Sequence, residues 1–203
     1  TAHQAVDAML AQNNVASSSY YLKGLIYYSE GKDKEALDYV NKALRYHGGN
    51  VQALALGGDI LRRNRSYSKA IEPYEKVVRA KRADERVLLA LAECYCRTNN
   101  YKLLDQITAL LRDQGRDKVA LQKIELRALI QQKRMDEAEK LMTRMNGVEE
   151  DSELLLLRAL CDLAAGRRAA AVENAGKAIK LDPRNGEALE LQRFLTKEVE
   201  IRK

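Results

Sequence analysis

The sequence has no tryptophan, one phenylalanine and only two prolines among its 203 residues. It also lacks the β-branched runs that strands require, whereas Ala, Leu, Lys, Glu and Arg are abundant and favour helix. The longest apolar run, Val87 to Ala92, is far too short to span a bilayer, and so is the leucine run Leu154 to Leu157. These features predict an almost entirely helical chain with no direct membrane insertion.

Positive charge exceeds negative charge only modestly. The 35 basic and 29 acidic residues leave a formal charge of +6. Residues 51–100 hold ten Lys or Arg against six Asp or Glu, a local surplus of four. A dedicated nucleic-acid domain concentrates a larger excess on one face, so the charge alone does not indicate nucleic acid as the partner.

Cysteine is scarce, and the three residues Cys94, Cys96 and Cys161 have no framework spacing. An odd count without such spacing argues against a disulfide scaffold. Cys94 and Cys96 are two apart on a predicted helix and therefore point to different sides. We expect all three to be buried apolar side chains. The chain begins at Thr1, and we expect it to be a fragment of a longer protein.

A period of 33 or 34 residues runs through the chain. One column of small residues is Ala2, Ala36, Ala70, Leu104, Ala138 and Ala171. A second column is Gly24, Gly58, Ala92, Leu126 and Ala159. Several columns that keep one phase across the whole chain predict a stacked helical repeat.

Each period contains two helical patterns separated by a short polar turn, in which Gly31 and Gly166 occupy the same position. A residue that tolerates positive φ is expected at this helix end. The predicted repeats are 17–50, 51–84, 85–118, 119–151 and 152–185. We expect residues 1–16 to be the second helix of a preceding repeat and residues 186–203 to be a capping helix, all within one domain covering 1–203.

The columns resemble those of the tetratricopeptide repeat family, whose pattern asks for small and aromatic residues at fixed positions of both helices. Residues 17–50 match through Tyr20, Gly24, Tyr27, Ala36 and Ala43. The resemblance implies an all-α, right-handed α-solenoid of five full repeats, a leading half repeat and a capping helix. Leu104 and Leu126 depart from the pattern, and we expect them to push neighbouring helices apart.

Signals for catalysis are missing. His3 and His47 are isolated in the sequence and fit no metal-ligand spacing. We therefore predict a protein that is not an enzyme, with no cofactor and no metal.

The resemblance implies that the first helix of each repeat lines a concave groove, and helical periodicity places unit positions 2, 5, 9 and 12 on one face. The predicted groove residues are Tyr21, Leu25, Tyr28, Asp59, Arg62, Arg63, Arg86, Glu93, Arg97, Lys123, Arg127, Leu156 and Leu160. The remaining residues at these four positions are Ser18, Gln52, Ala55, Leu89, Cys96, Ala120, Ile130, Glu153 and Leu163.

This predicted groove is aromatic at its N-terminal end, charged in the middle and apolar at its C-terminal end. Tyr21 and Tyr28 are either anchors for a peptide or residues covered by the preceding repeat. Leu156 and Leu160 are either open to a partner or covered by the capping helix through Phe194.

The function that this pattern favours is a non-catalytic protein-interaction scaffold within a multiprotein assembly, which binds an extended peptide or helix of another protein. Co-chaperone members of the family clamp the carboxylate of heat-shock proteins with Lys, Asn and Arg. Here the matching positions hold Tyr21, Leu25, Leu56, Arg86 and Ala90, so the clamp is absent.

Two alternatives stay open at this point. The first is a helical repeat that binds nucleic acid through the basic cluster Arg62, Arg63, Arg65, Arg79, Lys81, Arg82 and Arg86. A solvated edge or an acidic protein partner is the favoured interpretation of that cluster. The second alternative is a structural spacer in an envelope-spanning secretion or export machine. Cysteine usage favours the cytoplasm over a periplasmic segment of an exported protein.

Overall fold

The computed structural model describes residues 2–11, 16–113, 118–145 and 147–201. Every described helix is α-helical except one short 3₁₀ helix, and the described residues contain no strand. The architecture is an all-α repeat solenoid, as predicted. The chain divides into two compact units, Thr1–Arg116 (unit 1) and Asp117–Lys203 (unit 2), which are described separately below. Residues 1, 12–15, 202 and 203 of the predicted terminal segments lie outside the described residues.

Unit 1 begins with a second helix and continues as three helix pairs. Its helices are α1 (Ala2–Ala11), α2 (Ala16–Ser29), α3 (Asp33–Tyr46), α4 (Val51–Arg63), α5 (Tyr67–Arg79), α6 (Glu85–Arg97) and α7 (Tyr101–Asp113). Consecutive helices pack against each other, so each pair buries an apolar face that it could not bury alone.

Unit 2 contains two helix pairs and a final single helix. Its helices are α8 (Lys118–Gln131), α9 (Met135–Arg144), the 3₁₀ helix Val148–Glu150, α10 (Ser152–Ala164), α11 (Arg168–Leu181) and α12 (Gly186–Ile201). The last helix, α12, packs on α11, which is the position that a capping helix occupies.

The turn between the two helices of a repeat has the same backbone in all five pairs. Gly31 and Gly166 have φ of 75° and 76°, which confirms the positive φ expected there. Arg65, Asn99 and Lys133 occupy the matching positions and also have positive φ, of 56°, 59° and 59°. The turn geometry is therefore kept even where the side chain disfavours it, because the i→i+5 closing bond needs a left-handed residue.

In unit 1, small residues allow the close approach of paired helices. A Cβ atom on Gly58 of α4 would lie 2.6 Å from the ring of Tyr74 in α5, so only glycine fits there. Tyr74 itself is completely buried. Cys94 and Cys96 are buried in α6, as predicted.

In unit 2, the core under the last helix pair is built mainly from alanine. Ala159, Ala171, Ala175, Ala178 and Ala188 are all fully buried in one cluster. Leu155, Leu156, Leu191 and Leu195 complete it. Small side chains on α10, α11 and α12 thus set the spacing of three helices at once.

The two leucines that depart from the repeat pattern are both buried. Leu104 lies on the inner face of α7. Leu126 lies in a cluster of unit 2 with Ala138, Leu154 and Leu157. Each is accommodated inside its own unit.

A polar network at the repeat junction recurs in both units. In unit 1, Asn50 caps α4 by accepting from the Ala53 amide at 3.0 Å and donates to the Ser17 hydroxyl at 2.9 Å. Ser17 in turn donates to the Ala43 carbonyl at 2.9 Å. In unit 2 the same bonds join Asn185, Ser152 and the Ala178 carbonyl. One asparagine therefore ties three consecutive helices together.

The Asn50→Ala substitution is expected to lower the free energy of unfolding by about 1–2 kcal/mol, because it removes a helix cap and leaves the Ser17 hydroxyl without its donor. Urea denaturation followed by circular dichroism measures this loss. Asn50→Asp is the control, since its carboxylate keeps the cap acceptor and loses only the amide donor. Equal stability of Asn50→Ala and the wild type would contradict the role of the network.

Candidate functional site

Unit 1 contains an open cleft of about 300 Å³ between α2, α4 and the turn that leads into α6. The side chains that line it come from three successive first helices, from the turn that precedes α6 and, through Val77, from the second helix α5. They are Tyr21, Leu25, Tyr28, Val51, Gln52, Ala55, Leu56, Asp59, Val77, Arg82, Asp84, Arg86 and Val87. The cleft thus brings together five of the predicted groove residues: Tyr21, Leu25, Tyr28, Asp59 and Arg86.

One wall of the cleft is apolar and comes from α2. Tyr21, Leu25 and Tyr28 are spaced by four and three residues, which places them on one helix face. Leu25 is 39% exposed, so its side chain is open to a partner. Tyr28 is held in place because the Arg63 guanidinium stacks 3.7 Å from its ring centre. Both tyrosines also pack on the core of unit 1 and are half-buried.

The opposite side of the cleft centres on Asp59, a buried carboxylate in α4. It accepts a hydrogen bond from the Tyr74 hydroxyl at 2.7 Å and forms an ion pair with Arg86 of α6. Burial raises the pKa of the Tyr74 phenol, and the hydrogen bond to Asp59 raises it further. The phenol therefore stays a neutral donor at neutral pH, and Asp59 has two side-chain partners, Tyr74 and Arg86.

Two polar cleft residues, Arg82 and Asp84, were not among the predicted groove residues. Both lie in the turn before α6, where Asp84 also caps the helix by accepting from the Val87 amide at 2.9 Å. Groove positions deduced from first helices could not include a turn. The only sequence signal for either residue was that Arg82 belongs to the basic cluster. That cluster was interpreted as a solvated edge or as the site of an acidic protein partner.

The remaining predicted groove residues of unit 1 lie outside the cleft lining. Arg62 of α4 donates to Glu93 of α6 at 2.7 Å, so these two charges neutralise each other. Arg63 pairs with Asp33 at the start of α3. The guanidinium of Arg97 lies 5.4 Å from the ring centre of Tyr67. Cys96, at a groove position by periodicity, is buried instead.

These pairings also decide how the basic cluster is interpreted. Arg62, Arg63, Arg79 and Arg86 each form an ion pair with an acidic side chain of unit 1. A guanidinium that is already neutralised contributes little to the release of counterions from phosphate. Because four of the seven basic side chains of the cluster are paired in this way, its geometry disfavours nucleic acid.

In unit 2, the predicted charged groove residues form an internal network. Lys123 of α8 pairs with Asp151 at 2.5 Å. Arg127 of α8 pairs with Glu187 of α12 at 2.8 Å and with Glu153 of α10 at 3.3 Å. Arg127 is only 8% exposed. This corrects the prediction that Arg127 lines an open groove, because its charge is used to join three helices.

The apolar end of the predicted groove is also corrected. Leu156 is buried in the cluster formed with α12, and Leu160 and Leu163 pack partly against that cluster. The covering side chains from the capping helix are Leu191 and Leu195, whereas Phe194 points outward and is 51% exposed. Capping by α12 was therefore foreseen, but Phe194 was the wrong residue, since half of its side chain stays exposed while Leu191 and Leu195 are buried.

The described residues offer neither a metal-binding cluster nor, at Cys94 and Cys161, an activated thiol. Within the described ranges, no three His, Cys, Asp or Glu side chains are grouped so that they could hold a metal ion. Burial raises the pKa of the Cys94 thiol to about 12 and that of Cys161 to about 11. These two thiols stay protonated at neutral pH and are poor nucleophiles in the folded state.

Comparison with family models matches tetratricopeptide repeats at residues 17–46 and 34–85. Comparison with curated protein sequences gave no match. None of the helices in the described part of the chain is both long and apolar enough to cross a membrane.

Solved structures share the fold along nearly the whole chain. A tetratricopeptide repeat protein from Parabacteroides merdae is 17% identical with a TM-score of 0.69, and the match covers 94% of this chain and 75% of that one. TTC0263 from Thermus thermophilus, a thermophilic TPR protein, is 16% identical with a TM-score of 0.66, over 91% and 99% of the two chains.

A third solved structure is YrrB, a TPR protein with an unusual peptide-binding site. It is 18% identical with a TM-score of 0.63, and the match covers 93% of this chain and 98% of that one. Repeats of this fold generally act as scaffolds for contacts between proteins. The family models match residues 17–85 as tetratricopeptide repeats, and the described helix pairs of both units share the helix–turn–helix fold of that family.

Proposed function

We propose that this protein is an interaction scaffold that holds an extended peptide or helical segment of another protein in the cleft of unit 1. The observation that supports this most directly is the cleft itself, in which three first helices and one turn present an apolar wall opposite a polar one. Such a partner segment would connect the protein to a multiprotein assembly.

The apolar wall is suited to anchor one large side chain of the peptide. Leu25 is exposed between Tyr21 and Tyr28, and tyrosines with restricted side chains are frequent hot spots of binding. Gln52 and Arg86 on the other side supply an amide and a guanidinium, which can bond to the peptide backbone. An aliphatic or aromatic anchor with an extended backbone is therefore the ligand that the cleft favours.

The cleft has no strong preference for charge. Its two arginines, Arg82 and Arg86, face two aspartates, Asp59 and Asp84, so the formal charges balance. A lysine clamp for a terminal carboxylate has no counterpart here. We therefore expect selection by apolar shape and not by an acidic motif.

A display library of random 12-residue peptides, panned on the intact chain, tests this proposal. We expect the enriched peptides to share an aliphatic or aromatic residue and to bind at least about tenfold more weakly to Leu25→Glu, because the substitution removes an apolar contact and places a charge in the cleft. Fluorescence polarisation measures the affinities. The matched control is Leu103→Glu, since Leu103 on α7 is also 39% exposed but lies outside the cleft.

Peptides that bind Leu25→Glu as tightly as the wild type would refute the cleft as the binding site. Circular dichroism confirms that both glutamate variants remain folded, which separates loss of the site from loss of structure.

A further inference from the structure

Four tyrosine rings of α2 and α3 form a continuous stack in unit 1. The ring centres of Tyr46 and Tyr20 lie 5.3 Å apart, with the planes 25° from parallel. Tyr39 follows Tyr20 at 6.3 Å and 26°, and Tyr27 follows Tyr39 at 5.3 Å and 8°. These four residues, the tyrosine stack, do not line the cleft. The stack is therefore a feature separate from the proposed binding site.

Packing of the repeats does not account for the stack. The residues that occupy the positions of Tyr20, Tyr39 and Tyr46 in the other four repeats are all non-aromatic. In the order of these three positions, they are Leu54, Leu88, Gln122 and Leu155, then Pro73, Ile107, Leu141 and Asn174, then Ala80, Gln114, Val148 and Leu181. The fold thus needs no aromatic ring at any of the three positions, and the tyrosines supply a chemical property that aliphatic residues lack.

Tyr20 and Tyr46 meet at the hydroxyl ends of their rings. A hydrogen bond between the two side chains raises the pKa of the Tyr20 phenol. Because each hydroxyl is flanked by two ortho carbons, this contact also brings an ortho carbon of one ring close to the other ring. Tyr46 is the last residue of α3 and is 65% exposed. Its ring can therefore turn from a stacked to an edge-to-edge position, and a reagent in solution can reach it.

Lysine side chains cover the other end of the stack. The ammonium groups of Lys23 and Lys42 lie 5.1 and 4.6 Å from the ring centre of Tyr39, and that of Lys32 lies 5.7 Å from the ring centre of Tyr27. A cation over a ring opposes the removal of an electron from that ring, because the two positive charges repel each other. Loss of an electron from the stack is therefore least costly at the end formed by Tyr20 and Tyr46.

We propose that Tyr20 and Tyr46 are an oxidative cross-linking site, at which two equivalents of a one-electron oxidant of the peroxidase class join the rings as dityrosine. Each phenol gives one electron to the oxidant and its hydroxyl proton to water, which leaves two phenoxyl radicals. One carbon–carbon bond forms between ortho carbons of the two rings. The hydrogens on these carbons then move as protons to the phenol oxygens, so the pair loses two electrons and two protons in total.

The new bond joins α2 to α3 covalently. It closes the chain between residues 20 and 46, and a cross-link of this kind stabilises a fold mainly by restricting the unfolded chain. Since α2 also carries Tyr21, Leu25 and Tyr28, the bond fixes the helix that forms the apolar wall of the cleft. Thiols reduce disulfides by exchange at sulfur, whereas a carbon–carbon bond offers them no such reaction, so the cross-link persists in a reducing compartment.

Treatment of the intact chain with a peroxidase and hydrogen peroxide tests this proposal. We expect dityrosine fluorescence, and trypsin should then release a cross-linked product that contains residues 1–23 and residues 46–62. Tandem mass spectrometry distinguishes Tyr20 from Tyr21 in the first peptide. Tyr46→Phe should lose both signals, because phenylalanine keeps the ring but cannot form a phenoxyl radical.

Tyr101→Phe is the matched control, since Tyr101 donates to Asn99 at 2.7 Å and lies outside the stack. Its dityrosine yield should equal that of the wild type. Urea denaturation followed by circular dichroism gives a second measurement. We expect the cross-linked chain to unfold at a higher urea concentration than the untreated chain, and Tyr46→Phe to show no such shift after the same treatment.

Four results would overturn the proposal. Equal dityrosine in Tyr46→Phe and the wild type would exclude Tyr46 as a partner. Cross-linked peptides that join other tyrosines would place the reaction elsewhere. An unchanged urea midpoint in the cross-linked chain would contradict the stabilisation of the α2–α3 pair. A yield that rises with protein concentration, with covalent dimers on a denaturing gel, would assign the reaction to contacts between molecules.

Discussion

Replacing Gly58 with leucine is expected to lower the free energy of unfolding of unit 1 by about 3 kcal/mol or more. A Cβ at this position lies 2.6–2.9 Å from three atoms of the Tyr74 ring, well inside van der Waals contact. The ring cannot move aside, because Tyr74 is fully buried and its hydroxyl is bonded to Asp59. Leucine has a higher helix propensity than glycine, but this offsets only about 1 kcal/mol of the loss.

The loss is measured by urea denaturation with thiol reactivity as a local probe. Cys94 and Cys96 are buried in unit 1 and Cys161 in unit 2, so labelling with a thiol reagent reports each unit separately. In Gly58→Leu we expect labelling of Cys94 and Cys96 at lower urea concentration, while the labelling of Cys161 is the internal comparison.

The matching control combines the substitution with a smaller partner. Tyr74→Ala alone costs about 3–5 kcal/mol through the cavity that it creates. In the double variant Gly58→Leu with Tyr74→Ala, the leucine occupies part of that cavity. We expect the total loss to be smaller than the sum of the single losses by about 1–3 kcal/mol. Strict additivity would show that the Gly58–Tyr74 contact does not limit the packing.

The same repeat position accepts leucine elsewhere in the chain. Leu126 corresponds to Gly58, and the residue that corresponds to Tyr74 is Met142. Both belong to one cluster of unit 2. A flexible methionine can adapt to a leucine, whereas a buried and hydrogen-bonded tyrosine ring cannot. The tolerated size at this position therefore depends on the opposing side chain and not on the position alone.

The fold could be predicted from the sequence because the chain is periodic. The period fixes which residues of each helix point inward, and neighbours in one pair are close in sequence. The columns beginning at Ala2 and Gly24 therefore sufficed to predict the helix pairs. The turns between them, at Gly31 and Gly166, could then be predicted to have positive φ. The period also placed Tyr21 and Leu25 on one helix face.

The candidate site could be predicted only in part, since side-chain pairing depends on residues that are distant in sequence. From the sequence, Arg86 could equally face solvent or pair with an acidic residue. In the structure it pairs with Asp59, which is 27 residues away. Arg127 bonds to Glu187, 60 residues away. Helical periodicity says that a charge lies on a face, but it does not say which charge opposes it. Turn residues such as Arg82 have no period at all.

Replacing Arg127 with methionine is expected to lower the free energy of unfolding of unit 2 by about 2–4 kcal/mol. The guanidinium is 8% exposed and bonds to carboxylates of α10 and α12. Its removal leaves Glu187 and Glu153 close together without the positive charge between them. The estimate lies below the value for a fully buried pair because both glutamates keep partial contact with water.

Arg158→Met is the matched control in the same unit. Arg158 pairs with Glu149 at 3.0 Å on the exposed side of α10, and its loss should cost about 1 kcal/mol or less. Urea denaturation with labelling of Cys161 compares the two variants. Equal stability of Arg127→Met and Arg158→Met would contradict a structural role for Arg127.

Removing one negative charge should then recover part of the loss. In Arg127→Met with Glu187→Gln, the repulsion between Glu187 and Glu153 is absent, so the double variant should be more stable than Arg127→Met alone. Because Glu187 lies in the first turn of α12, the same interaction holds the start of the helix that covers Leu156. Arg127 thus acts as a connection between helices, and its charge stabilises the cap instead of binding a partner.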